Sequence, residues 1–189
     1  FRDQTERLIA GRMTEAVVHR LEVIDVEHED SEVRGTCARQ QAGKMAAQFF
    51  AAYVPPKQPN PAGFALAQIA LMRGILKRYA DAFRPGLSAA DVEAAKAEGR
   101  IALFMTIENG SAVDGELDSL DAYYDLGVRL MTLCHNDTTD WCDSATDAPR
   151  HNGLTGFGKD VLRRMNKLGM VIDLARFEEL EPILWRLCE

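Results

Sequence analysis

Imidazole and carboxylate groups recur in this chain at similar places, each just past a short apolar run. His28 lies in the acidic string Asp25-Val-Glu-His-Glu-Asp30, after Leu21-Glu-Val-Ile-Asp-Val26. Glu108 follows Ile101-Ala-Leu-Phe-Met-Thr-Ile107 and leads into Asn109-Gly110. His135 follows Val128-Arg-Leu-Met-Thr-Leu-Cys134 and leads into Asn136-Asp137, while Met170-Val-Ile-Asp-Leu174 runs into Ala175-Arg176. Imidazole nitrogen and carboxylate oxygen suit Zn²⁺ and similar borderline ions. Two such ions can ionise a bridging water and polarise a carbonyl, so the chemistry to expect is metal-assisted hydrolysis. A carboxylate directly after an apolar strand is costly unless paired or ligating, which singles out Glu108. His28 reads equally as solvated loop charge, and His135 equally as a hydrogen-bonded structural histidine. His19, in a helical pattern, and His151, in a polar loop, read as surface residues. The Asp- and Asn-rich stretch 136–152 reads as a long loop on the active face or as an ordinary polar turn.

The elements that would position these groups follow from periodicity. Phe64, Ile69, Met72, Ile75, Leu76 and Tyr79 fall at helical spacing and predict a helix over 62–83. Ser88-Ala-Ala-Asp91 is a capping box opening a helix that Gly99 ends. The strand 101–107 comes next, then a helix over 117–126 stopped by Gly127, then the strand 128–134. A third helix over 157–168, stopped by Gly169, precedes the strand 170–174. Three helix–Gly–strand cassettes in a row predict parallel strands joined by right-handed helical crossovers. Residues 21–26 and 45–54 add strands, Pro55-Pro56 and Pro59-Asn-Pro61 end the second, and residues 1–20 form a leading helix. That makes roughly five parallel strands, and such sheets gather ligand groups at the carboxyl ends of their strands.

The chain has 189 residues, 47% of them hydrophobic, with 22 Lys+Arg against 29 Asp+Glu. That supports one sizeable core, so residues 1–189 read as a single domain. A net charge of -7 argues against a nucleic-acid partner, and no run is long and apolar enough for a membrane span. Cys37, Cys134, Cys142 and Cys188 form no C-x-x-C pair, which reads as reduced thiols, Cys134 being a small hydrophobe in a strand. The polar start, Phe1 to Arg7, shows no signal peptide and favours the cytoplasm or a processed product.

Several blocks together resemble the membrane (renal) dipeptidase family. They are Gln48-Phe-Phe-Ala-Ala-Tyr-Val54, Ile107-Glu-Asn-Gly110, Gly127 to Asn136, Trp141-Cys-Asp-Ser-Ala-Thr-Asp147, Gly153-Leu-Thr-Gly-Phe-Gly158 and Arg164 to Leu174. The resemblance implies a TIM-barrel zinc dipeptidase of the amidohydrolase type, which hydrolyses a dipeptide with metal-activated water at two zinc ions. It implies that Glu108 is the bridging metal carboxylate and that His135 is a catalytic, substrate-binding histidine. The family's first-strand metal pair, His-x-Asp, resembles His28 and Asp30 with one residue inserted after Asp25; a gapless register puts Glu27 and Glu29 there.

Two departures bear on activity. The family's fifth strand ends in a metal-ligating His where this chain reads Asp173-Leu-Ala-Arg176. A guanidinium has no lone pair to donate, and its charge opposes a second cation. The chain also stops at Glu189, ahead of the family's next metal His, its catalytic Asp and its carboxylate-binding Arg. The expectation is an incomplete barrel, about five of eight β/α units against the roughly 250 residues of a closed one. It would be a truncated or impaired metal-dependent dipeptidase. The alternative is a non-catalytic truncated barrel, a binding or assembly module that self-associates as a homo-oligomer through its open edge. A phosphate-binding doubly wound sheet is disfavoured, because no Gly-x-Gly-x-x-Gly or P-loop follows a strand.

Overall fold

The computed structural model describes residues 43–175. The leading helix, the strand 21–26, His19, His28, Asp30, Cys37, Arg176 and Cys188 lie outside them. The described residues form a parallel α/β sheet with helical crossovers, β1 (Ala47–Tyr53), α1 (Pro61–Arg78), β2 (Phe83–Pro85), α2 (Ala89–Ala97), β3 (Ile101–Glu108), α3 (Asp118–Leu126), β4 (Val128–Thr132), α4 (Gly156–Leu168) and β5 (Val171–Asp173). The order across the sheet is β1-β3-β4-β5, every pairing is parallel, and β2 pairs with the start of β3. This is the arrangement of consecutive strands in a TIM-type barrel.

Local chemistry explains the helix ends. Asn60 caps α1 by accepting from the Gly63 N–H at 3.1 Å, with Pro61 opening the first turn, where a missing N–H costs nothing. Ala65, Ile69, Met72 and Ile75 form its buried face. At α2, Asp91 accepts from both the backbone N–H and the hydroxyl of Ser88 at 2.9 Å, as the capping-box pattern predicts. Gly127 (φ 108°) and Gly169 (φ 79°) end α3 and α4 in the left-handed region, where a Cβ would be strained.

The central strands β1 and β3 are buried on both faces. Phe50, Ala52, Leu103, Met105, Ile107 and Met131 join the main core with the buried faces of α1, α3 and α4. Phe49, Ala102 and Phe104 pack instead with Ala95 of α2. That double burial is why β3 is apolar in every position but Thr106 and Glu108.

Two sequence expectations are corrected. The helix over 62–83 stops at Arg78, because the chain turns on Tyr79, whose carbonyl accepts from both the Ala82 and Phe83 N–H groups. Phe83–Pro85 then forms β2, occupying the stretch of β3 that precedes β4's pairing. The strand 128–134 ends at Thr132, and Leu133 and Cys134 begin the loop to α4 instead. They stay buried there because Cys134 Sγ donates to the Asp143 carbonyl and the Ser144 hydroxyl donates to the His135 carbonyl at 2.9 Å.

Candidate active face at the strand ends

Register places four polar side chains in one row. Tyr53 is opposite Glu108, Glu108 opposite Thr132, and Thr132 opposite Asp173, so all four main strands contribute at their carboxyl ends. Side chains alternate faces along a strand, and in-register partners share a face. The row therefore continues the surface that carries Phe49, Ala102 and Phe104 lower in the sheet, and turns it polar at the rim.

Glu108 and His135, both singled out from the sequence, are brought together. Nε2 of His135 lies 3.0 Å from Oε1 of Glu108, with side chains 14% and 16% exposed. An ionised carboxylate only accepts, so the imidazole N–H on Nε2 donates to it. His135 Nδ1 is buried with no protein partner among the described residues. The ring of Tyr53 stands edge-on to the imidazole, 5.2 Å between centroids at 69°. Burial pushes the Tyr53 hydroxyl above its usual pKa, and the negative charges of Glu108 and Asp137 push the same way.

The backbone around Glu108 is tightly specified. The Val54 N–H donates to the Glu108 carbonyl at 3.0 Å, and Gln68 Nε2 donates to the Tyr53 carbonyl at 2.7 Å. Asn109, 3% exposed, sits at φ 88°, a region that Asn tolerates better than most residues. Its amide donates to the Val54 carbonyl at 2.9 Å, and its Oδ1 accepts from the Ser111 N–H at 3.2 Å. At Gly110 a Cβ would come within 2.5 Å of both the Leu133 carbonyl oxygen and Trp141 Cζ2. The two bonds to Val54 and the close approach at Gly110 tie the exit of β3 to β1 and to the β4 loop, which restricts where Glu108 points.

At the far end of the row the Thr132 hydroxyl donates to Asp173 Oδ2 at 2.6 Å, and Asp173 Oδ1 accepts from the Ala175 N–H at 3.0 Å. Asp173 thereby sets the direction in which the chain leaves β5. Tyr53 and Thr132 were not among the sequence candidates. Counting alternate positions back from each strand end would have found them only once the register was known.

The stretch 136–152 is an ordered loop organised by Asp143, which is 7% exposed. Its carboxylate accepts from the N–H groups of Arg150 (2.8 Å), His151 (3.0 Å) and Gly153 (2.9 Å). His151 is therefore not a free surface residue: its Nε2 also lies 3.0 Å from the Thr139 carbonyl, pinning the loop.

A metal would have to be held by Glu108 and groups outside the described residues, since no cluster of three or more His, Cys, Asp or Glu is formed among those described. The local chemistry fits a divalent cation. Glu108 pairs with an imidazole and with no Lys or Arg among the described residues, so its carboxylate keeps lone pairs for a metal. Among the described residues no helix is long and apolar enough to cross a membrane.

Comparison with known proteins agrees with this parallel α/β fold. The family model for membrane dipeptidase, peptidase family M19, matches residues 6–180. Dipeptidase 3 of Mus musculus is 34% identical over 145 residues, 72% of this chain and 28% of that protein. Dipeptidase aclJ of Aspergillus oryzae is 32% identical over 148 residues, 72% of this chain and 35% of that protein. This chain thus spans about a third of the length of these curated relatives. Among solved structures, the metallo peptidase dipeptidase AC of family M19 has a TM-score of 0.65 at 25% identity, covering 76% of this chain and 47% of that one. A metallo peptidase from Rhodobacter sphaeroides, liganded with a phosphinate mimic of the dipeptide L-Ala-D-Ala, has a TM-score of 0.66 at 22% identity, covering 75% of this chain and 49% of that one. The match along most of the sequence, with better than 30% identity over nearly three quarters of it, shows that this chain belongs to the membrane dipeptidase family, peptidase family M19.

Proposed function

We propose that this chain carries part of the active face of a metal-dependent dipeptidase, an enzyme that hydrolyses the peptide bond of a dipeptide. The observation that carries the reading is the Glu108–His135 pair at the ends of β3 and β4, 3.0 Å apart and open to the rim. The names of the relatives support the substrate class, and the phosphinate dipeptide mimic bound by one structural neighbour supports it further.

In this reading Glu108, with His28 and Asp30, would hold the cation. A bound zinc would supply an acidified water and polarise the scissile carbonyl. His135 contributes the donor: the Nε2–H now directed at Glu108 is placed to turn toward a carbonyl oxygen and to stabilise the negative charge that grows on it. Tyr53 packs edge-on against the imidazole and limits how far it can swing, which keeps the donor close to the rim. Arg176, where the family has a metal-ligating His, favours one ion over two.

Metal analysis of the zinc-loaded, dialysed protein beside a dipeptide hydrolysis assay tests this. About one zinc per chain, with release of free amino acids, is the expected result. Neither zinc nor hydrolysis would leave a non-catalytic binding or assembly module.

A further inference from the structure

The loop between β4 and α4 holds two thiols that the proposed reaction does not use. Cys134 is 1% exposed and Cys142 is fully buried. Their Sγ atoms donate to the same acceptor, the Asp143 carbonyl, at 3.4 Å and 3.6 Å. Both are free thiols. Eight residues apart in sequence and joined at one oxygen, they are side by side in space.

We propose that Cys134 and Cys142 are a closable dithiol, a modification site at which a low-molecular-weight disulfide of the glutathione class installs an intramolecular disulfide. In the first step the Cys134 thiolate attacks one sulfur of the small disulfide. The S–S bond of the reagent breaks, a small thiolate leaves, and a mixed disulfide remains on Cys134. The Cys142 thiolate then attacks Cys134 Sγ, forming the Sγ–Sγ bond and expelling the second small thiolate. The two cysteines lose two electrons, the reagent gains them, and the two thiol protons end on the two released thiols.

The local environment gives the order of attack. The neighbouring Cys142 side chain lowers the Cys134 thiol below its ordinary range, with Ser144 helping, and the proximity of Cys134 together with burial pushes Cys142 up. Burial also gates the reaction, because a reagent reaches Cys134 only when the loop opens. The new bond would tie the residue preceding His135 to the loop built around Asp143. The assignment rests on the thiol geometry and is independent of dipeptidase activity.

Tryptic mapping reads it directly, since cleavage after Arg129 and Arg150 leaves both cysteines in the single peptide Leu130–Arg150. The full chain is incubated with oxidised glutathione, alkylated with iodoacetamide under denaturing conditions without reductant, and digested. The expected product is that peptide lighter by two hydrogens, carrying neither alkyl group nor glutathione. In Cys142→Ser, whose hydroxyl can replace the donor to Asp143, Cys134 should instead retain glutathione as a stable mixed disulfide. Two alkylated cysteines, glutathione on both, or a link from either to Cys37 or Cys188 in the wild-type chain would overturn the proposal. The wild-type map decides it even where the variant does not fold.

Discussion

Glu108 and Asp143 are both carboxylates near the carboxyl end of the sheet, and they are satisfied in opposite ways. Glu108 faces the rim with the His135 imidazole as its partner among the described residues. Asp143 is buried and accepts from three backbone N–H groups of its own loop. A buried carboxylate with its lone pairs filled by backbone donors is a structural element, because nothing is left to offer a ligand. A half-buried carboxylate with unused lone pairs is worth its desolvation only if something else comes to occupy them. Two acids of similar chemistry thus divide the work: one shapes the loop, the other waits at its edge.

Exchanging the carboxylates for amides one at a time should separate these roles. Glu108→Gln removes a metal donor and is expected to weaken zinc retention about 100-fold or more while leaving the denaturation midpoint nearly unchanged. Asp143→Asn places an amide against three N–H donors and is expected to cost about 3 kcal/mol of stability. Zinc titration and urea denaturation of both variants provide the check. A Glu108→Gln protein as unstable as Asp143→Asn would show that Glu108 too is structural, and the contrast would fail.

Gly110 links the two regions, since its missing side chain lets Trp141 of the Asp143 loop close over the exit of β3. Gly110→Ala must displace both the indole and the Leu133 carbonyl, each 2.5 Å from the new methyl. The expected cost is about 2 kcal/mol in thermal or chemical melts. Because Gly110 lies two residues after Glu108, zinc affinity should fall with stability, unlike in Asp143→Asn. Unchanged zinc binding in Gly110→Ala would show that the loop does not set the carboxylate's direction.

Much of this was legible in the sequence, for identifiable reasons. The cassettes ending in Gly99, Gly127 and Gly169 are local signals, and β3 shows its double burial as an apolar run interrupted only by Thr106. Glu108 and His135 stand out because polar groups follow such runs abruptly. The three-residue β2 is shorter than any periodicity can reveal, and Pro85 further disguises it. Cys134 read as a strand residue because burial alone does not distinguish a strand from a loop held by side-chain hydrogen bonds. The role of Asp143 depends on N–H groups seven to ten residues away meeting at one carboxylate, which no spacing rule encodes. Tyr53 joins the site through register, a property of pairs of strands rather than of either one.

The smallest expected effect comes from acid. Burial is the strongest single influence on the Asp143 carboxyl and pushes it up. The N–H groups of Arg150, Gly153 and His151, with the charge of His151, together outweigh it and hold the group below the usual aspartate range. In the unfolded chain that carboxyl titrates near about 3.9. A group depressed in the folded state contributes fully above its unfolded value and loses that contribution as the pH falls through its folded one. Wild-type stability should therefore decline below about pH 4, with Asp143→Asn lacking that part of the decline. Asp147 is lowered by the Thr138 and Ala148 N–H groups and adds a slope of the same sign, but it is present in both proteins and cancels in the difference. Urea melts of the two proteins between about pH 6 and about pH 3 should show a stability gap that narrows on acidification. A gap of constant size would mean that the carboxylate's charge is immaterial and that Asp143 serves the loop by shape alone.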